Sequence, residues 1–179
     1  MSHRLFVALR PSADIRDLLQ GLMDGVSGAR WQDDAQLHLT LRYIGEVDRR
    51  VAEDVALSLS SLRFESVTLS LAGVGQFERK GRCQSLWAGV SPKDDVTRLH
   101  KKIDRMINQL GLDSEHRAYL PHITLARMNR DQAGAAEWLL ANNGLASAPF
   151  TMEAVILYES HLSEEGARYE PVARFAMKG

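Results

Sequence analysis

One short pattern occurs twice in this chain and limits its architecture more than any other feature. Leu37-His38-Leu39-Thr40-Leu41 and Pro121-His122-Ile123-Thr124-Leu125 carry histidines 84 residues apart. Each alternates apolar with polar residues, the period-two pattern of a half-buried strand. Residues i and i+2 of a strand share a face, so His38 projects with Thr40, and His122 with Thr124. Leu39, Leu41, Ile123 and Leu125 then anchor the two strands from behind. Selection for a stable strand gives no reason to place the same two polar residues on the same face twice.

The segments after the two motifs follow one order. The first motif opens a strand over 37–44, then a helix over 49–62 capped by Asp48, then strands at 66–77 and 84–90. The second opens a strand over 121–127, then a helix over 131–143 stopped by Asn142-Asn143-Gly144, then strands at 150–160 and 168–177. Before them lie a strand at 4–10, a helix over 12–26 with Ser12 as N-cap, and an extended piece at Arg30-Trp31-Gln32. Between the two series runs a helix over 94–110, striped by Val96, Leu99, Ile103, Met106, Ile107 and Leu110 and ended by Gly111. So long a period reads as duplication of one structural unit inside a single domain spanning 1–179. Two such units side by side make a pseudo-symmetric pair of sheets with helices outside, the motif strands facing each other across a groove.

Composition narrows the classes that remain. A chain that is 45% hydrophobic and 25% charged has the material for an ordinary globular core. No run approaches the ~18 apolar residues of a transmembrane helix. The opening Arg4–Arg10 turns polar too soon for a secretory segment. Cys83 stands alone, which rules out an internal disulfide and a multi-cysteine metal centre and fits a reducing cytoplasm. It reads as a partly buried, inert thiol. A formal net charge of −1 excludes a bulk polyanion binder steered by a large positive field. Local grips remain open: Arg79, Lys80 and Arg82 cluster in one loop, and Arg10, Arg42 and Arg127 close strand-like runs.

Two histidines on opposing walls suit in-line displacement at phosphorus. Histidine titrates near neutrality, so one copy can accept a proton while the other donates one. Threonine hydroxyls can hold non-bridging phosphate oxygens, and Arg127, just past the second motif, can add positive charge. Two histidines with no acidic ligand nearby make a poor divalent metal site. His3, His100, His116 and His161 lack a threonine at motif spacing and read as surface or structural residues.

These residues resemble the two-histidine (2H) phosphoesterases, and among them the bacterial and archaeal RNA 2′,3′-cyclic phosphodiesterases, once called 2′-5′ RNA ligases. The resemblance covers nearly the whole chain. It runs through Arg4-Leu5-Phe6-Val7-Ala8-Leu9-Arg10-Pro11, Leu37–Gly45, Gly75-Gln76-Phe77, Leu86-Trp87-Ala88-Gly89, Pro121–Arg127 and Glu159-Ser160. It implies an α+β fold of two pseudo-symmetric lobes with antiparallel sheets lining a central cleft. It also implies hydrolysis of an RNA-terminal 2′,3′-cyclic phosphate to a 2′-phosphomonoester without metal or organic cofactor. By the same resemblance His38 is proton donor and His122 acceptor, while Thr40, Thr124 and Arg127 bind phosphate. ATP-independent 2′-5′ joining of RNA ends is an implied side activity. One departure is visible: Tyr43 stands where symmetry would put a counterpart of Arg127, so the grip on phosphate is expected to be asymmetric.

Trp87, Tyr43, Phe6 and Trp31 are candidate base or ribose contacts. The expected partners are RNA ends or nucleotides carrying a 2′,3′-cyclic phosphate, met by a cytoplasmic monomer with no membrane or obligate protein partner. Two other readings stay open: a different 2H activity on small cyclic nucleotides or RNA 3′ ends, and a non-catalytic RNA-end-binding module.

Overall fold

A computed structural model describes residues 1–178. Along the chain run β1 (Ser2–Leu9), α1 (Ala13–Gln20), β2 (Ser27–Trp31), β3 (Leu39–Asp48), α2 (Arg49–Ser60), β4 (Val67–Arg79) and β5 (Arg82–Ser91). Then come α3 (Asp94–Asn108), β6 (His122–Ala133), α4 (Ala135–Asn142), β7 (Phe150–Met152), β8 (Ala154–Ser163) and β9 (Gly166–Ala176).

Local chemistry explains most of these boundaries. The Asp48 carboxylate accepts the Val51 N–H at 2.9 Å and starts α2. In α3, Val96, Leu99, Ile103 and Ile107 are buried as one stripe. Leu110 falls beyond the helix end, where Gly111 takes a φ of +88°. Two expected helices are shorter than their patterns. α1 stops at Gln20 because the chain turns at Gly21 and again at Gly25, whose φ is +84°. Ser12 does not cap it; its hydroxyl donates to Asp14 instead. The helix expected from 131 begins at Ala135, because Ala133 is claimed by β6 and pairs with Ser27 of β2. The basic segment around Arg79 is a two-residue hairpin turn, with Lys80 and Gly81 at φ of 53° and 75°.

The strands form an antiparallel sheet in the order β7-β4-β5-β6-β3-β1-β8-β9, with β2 also paired to β6. The motif strands β3 and β6 are its two central members. They are joined by one residue pair, Leu39 opposite Ile123, so the sheet falls into two halves at this seam. Each half draws on both stretches of chain: β4 and β5 follow the first motif but flank the second, and β8 and β9 follow the second but lie beyond β1 on the first. Helices cover one face, where Leu39, Leu41, Ile123 and Leu125 join the buried residues of α1, α2 and α3. Each such leucine or isoleucine contributes roughly 1.5–3 kcal/mol through burial. No helix among the described residues is long and apolar enough to cross a membrane.

Candidate active site

Position by position, 37–43 and 121–127 share one burial sequence: buried, half-buried, buried, half-buried, buried, buried, exposed. Simple alternation fails after the threonine in both copies. Ala8 lies opposite Thr40 but Val7 lies opposite Arg42, so Leu41 is an extra residue, a β-bulge. Trp87 lies opposite Thr124 and Leu86 opposite Ala126, which makes Leu125 the matching bulge. Each bulge resets the parity of its strand. Arg42 (3% exposed) and Ala126 (0%) turn to the core side. Tyr43 and Arg127 emerge on the exposed side, with the histidines and threonines.

Side chains catch the carbonyls that the first bulge frees. The Tyr119 hydroxyl donates to the Thr40 carbonyl at 2.8 Å, and His100 Nδ1 donates to the Leu41 carbonyl at 2.5 Å. The two rings stack at 3.8 Å and 4°. Burial pushes the Tyr119 phenol up, so it remains a neutral donor. Arg42 fastens the strand to α3 and the segment behind it, donating to Asp104 at 2.6 Å and to the Asp113 carbonyl at 2.7 Å. In the second copy the Leu125 carbonyl accepts the Gln32 backbone N–H at 2.8 Å.

Hydrogen bonds assign the tautomers of both catalytic candidates. His38 Nδ1 is 2.7 Å from the Gln36 carbonyl, and His122 Nδ1 is 2.6 Å from the Leu120 carbonyl. A carbonyl oxygen only accepts, so both Nδ1 atoms carry the proton and both Nε2 atoms are lone pairs in the neutral rings. Thr40 donates to His38 Nε2 at 2.9 Å. Burial drives the His38 pKa down to about 4, with the charges of Arg127 and His122 acting in the same direction. His122 is lowered too, by burial first and then by Arg127. The site at rest therefore holds two bases. An anion in the cleft would reverse the effect of Arg127 and help one imidazole take a proton.

Aromatic rings wall each histidine. Phe6 lies 4.9 Å from His38 and Tyr169 meets it edge-on at 5.2 Å. Phe77 meets His122 edge-on at 4.9 Å, and Trp87 lies 5.8 Å away. Trp87 fits because residue 75 is glycine: a Cβ there would stand 2.3 Å from its ring. Of the four aromatic candidates, Trp87 and Tyr43 reach the cleft side. Phe6 is 3% exposed, a support beneath His38 with no free face for a base. Trp31 packs against Trp138 at 5.9 Å on the core side, opposite Ala126, and is no contact residue. Tyr169 and Phe77 were not singled out from sequence, since only the fold brings β9 and β4 to the histidines. His100, expected to be a surface or structural residue, has a structural role here, holding the Leu41 carbonyl.

The other singled-out groups stand apart. Cys83 is buried, with its thiol pushed up by burial. His3 and His161 contact Glu159 and Glu170. No group of three or more His, Cys, Asp or Glu among the described residues is arranged to hold a metal.

An antiparallel sheet that presents two His-x-Thr pairs on one face, about a central seam, defines a two-histidine phosphoesterase. The chain belongs to the 2′-5′ RNA ligase superfamily, whose model matches residues 26–164. The RNA 2′,3′-cyclic phosphodiesterase of Aeropyrum pernix is 30% identical over 141 residues, 77% of this chain and 80% of that protein. The protein of that name from Archaeoglobus fulgidus is 26% identical over 175 residues, 96% of this chain and 99% of its own. A crystal structure of E. coli LigT complexed with 3′-AMP matches with a TM-score of 0.78 and 24% identity over 100% of both chains. TT0787 of Thermus thermophilus matches with a TM-score of 0.79 and 23% identity over 98% of each. At such identities the solved structures establish the fold.

Proposed function

We propose that this chain hydrolyses an RNA-terminal 2′,3′-cyclic phosphate to a 2′-phosphomonoester by paired imidazole acid–base catalysis. One observation carries the reading: His38, just before β3, and His122, at the start of β6, both turn an Nε2 away from a carbonyl-bound Nδ1, each with a half-buried threonine two residues on. The names of the relatives point to the same substrate.

In this mechanism the cyclic phosphate lies between the motif strands. His122 Nε2 takes a proton from water as its oxygen attacks phosphorus. The P–O3′ bond breaks on the opposite side, and protonated His38 delivers its Nε2 proton to the departing O3′. Thr40, Thr124 and Arg127 hold the non-bridging oxygens, where charge grows in the transition state. A depressed pKa makes the charged form of His38 a strong proton donor, and the anionic substrate supplies the field that charges it. With the 5′-hydroxyl of a second RNA end in place of water, the same groups form a P–O5′ bond as the P–O3′ bond breaks, His122 taking the hydroxyl proton and His38 protonating O3′, which is the 2′-5′ ligase side activity. Trp87 and Tyr43 are the base or ribose contacts. The enzyme acts as a cytoplasmic monomer without a cofactor, one two-lobed domain built by duplication; the shared burial of 37–43 and 121–127 supports the duplication.

Incubation of a short RNA ending in a 2′,3′-cyclic phosphate, in excess chelator, tests this directly. Phosphorus NMR of the product should show a 2′-phosphomonoester formed at an undiminished rate. A 3′-phosphomonoester, or activity that chelator abolishes, would refute the mechanism.

A further inference from the structure

Arg30 of β2 and Arg127 of β6 are register partners on adjacent strands. Like charges directly opposite in a sheet repel, at a strand spacing of ~4.8 Å. Arg30 and Arg127 are both exposed, so water screens part of that repulsion, whereas the less exposed Arg10 and Arg16 share Asp34 and Arg42 holds Asp104. Neither Arg30 nor Arg127 has a carboxylate in ion-pair range among the described residues.

The two arginines instead border a pocket of about 330 Å³. Its other polar walls are uncharged: Gln32, Gln36, Asn129 and Tyr169. Gln32 lines the pocket, and its carboxamide reaches solvent there without a protein partner among the described residues. Its amide can therefore donate to a polar guest in the pocket. Tyr169 joins this pocket to the histidines, since the same ring lies 5.2 Å from His38. The pocket therefore begins where the reacting phosphate ends and carries positive charge with no negative charge of its own.

We propose that this pocket binds the phosphodiester linking the last two nucleotides of the substrate, with Arg30 as its charge partner and Gln32 as a further donor. The proposal rests on placement of the reacting cyclic phosphate between His38 and His122. Arg127 then serves that phosphate, and Arg30, one strand further out, serves the next one along the chain. The substrate class narrows accordingly: an oligonucleotide end is favoured over a cyclic mononucleotide, which has no second phosphate to offer.

Calorimetric titration of the full chain tests this with three product-like ligands. They are 2′-AMP, the dinucleotide ApA bearing a 2′-phosphate on its last residue, and the same dinucleotide with an uncharged methylphosphonate link. Charge-assisted hydrogen bonds to one more phosphate should make the charged dinucleotide ~10-fold tighter than 2′-AMP. The uncharged link should lose that advantage, and Arg30→Gln should bring the ratio of charged to uncharged dinucleotide close to one. Equal affinity for the charged and uncharged links in the parent protein would overturn the subsite, as would an Arg30→Gln variant that keeps the parent ratio. Because the ratio is read within each protein, general damage to the variant cancels. Binding with the expected pattern, but no hydrolysis of the matching cyclic ends, would support the subsite and refute the phosphodiesterase reading.

Discussion

Both motif histidines have Nδ1 tied to the carbonyl two residues back, and that bond decides which atom faces substrate. It also fixes how the free site titrates. Burial and Arg127 hold both pKa values below 6.5. The working state needs one charged and one neutral imidazole, so in the free protein it grows as pH falls from 7 through the histidine range. It shrinks again once the second ring is protonated. The optimum of kcat/KM, which reports the free protein, should therefore lie below pH 6.5, and that of kcat, which reports the complex, at higher pH. Rate measurements from about pH 4.5 to 9 would contradict this if the two optima coincided above neutrality. Strand parity was enough to place His38 with Thr40 and His122 with Thr124 in the sequence. It was not enough for Arg127, which is odd where the others are even. The break in pattern at Ala126, apolar where alternation wants a polar residue, was the available sign of a bulge.

At the scale of elements, a bulge frees carbonyls and must be braced if its strand is to hold a side chain in place. Tyr119 and His100 brace the one at Leu41 by bonding the Thr40 and Leu41 carbonyls. Tyr119→Phe keeps the ring stack and removes one buried bond, at a cost of about 1–2 kcal/mol. Loosening of the strand beneath Thr40 and His38 should also lower kcat about tenfold, a small misplacement cost by the standard of catalytic geometry. Unchanged kcat alongside the lower stability would show that the brace serves folding alone. No local pattern announces this pairing, since Tyr119 and Thr40 are 79 residues apart. Helices were more legible: the stripe of α3 and the Asp48 cap depend on neighbours in sequence, whereas α4 lost its first turn to a strand pairing with β2.

In the whole molecule the seam between β3 and β6 is one residue pair long, yet each half of the sheet is woven from both stretches of chain. The repeat in the sequence led to an expectation of two related units side by side, and it held no sign that the hairpins after each motif join the other motif's half of the sheet. Hydrophobic pattern tells which face of a strand is buried and is silent on which neighbour it takes. Exchange should couple the halves, because neither retains its neighbours if the other unfolds. Urea unfolding should then be a single transition, with tryptophan fluorescence and far-UV circular dichroism coincident. Two separated transitions would mean that the halves are independent domains.

The division of labour between the histidines is tested most directly with a cyclic substrate whose 3′ bridging oxygen is replaced by sulfur. A thiolate leaves without needing a proton. With the natural substrate, His38→Ala and His122→Ala should each lower turnover by ~10²–10⁴. With the thio substrate, His38→Ala should regain most of the lost rate while His122→Ala stays slow. Equal rescue of both variants, or rescue of His122→Ala alone, would contradict the assignment of His38 as acid and His122 as base.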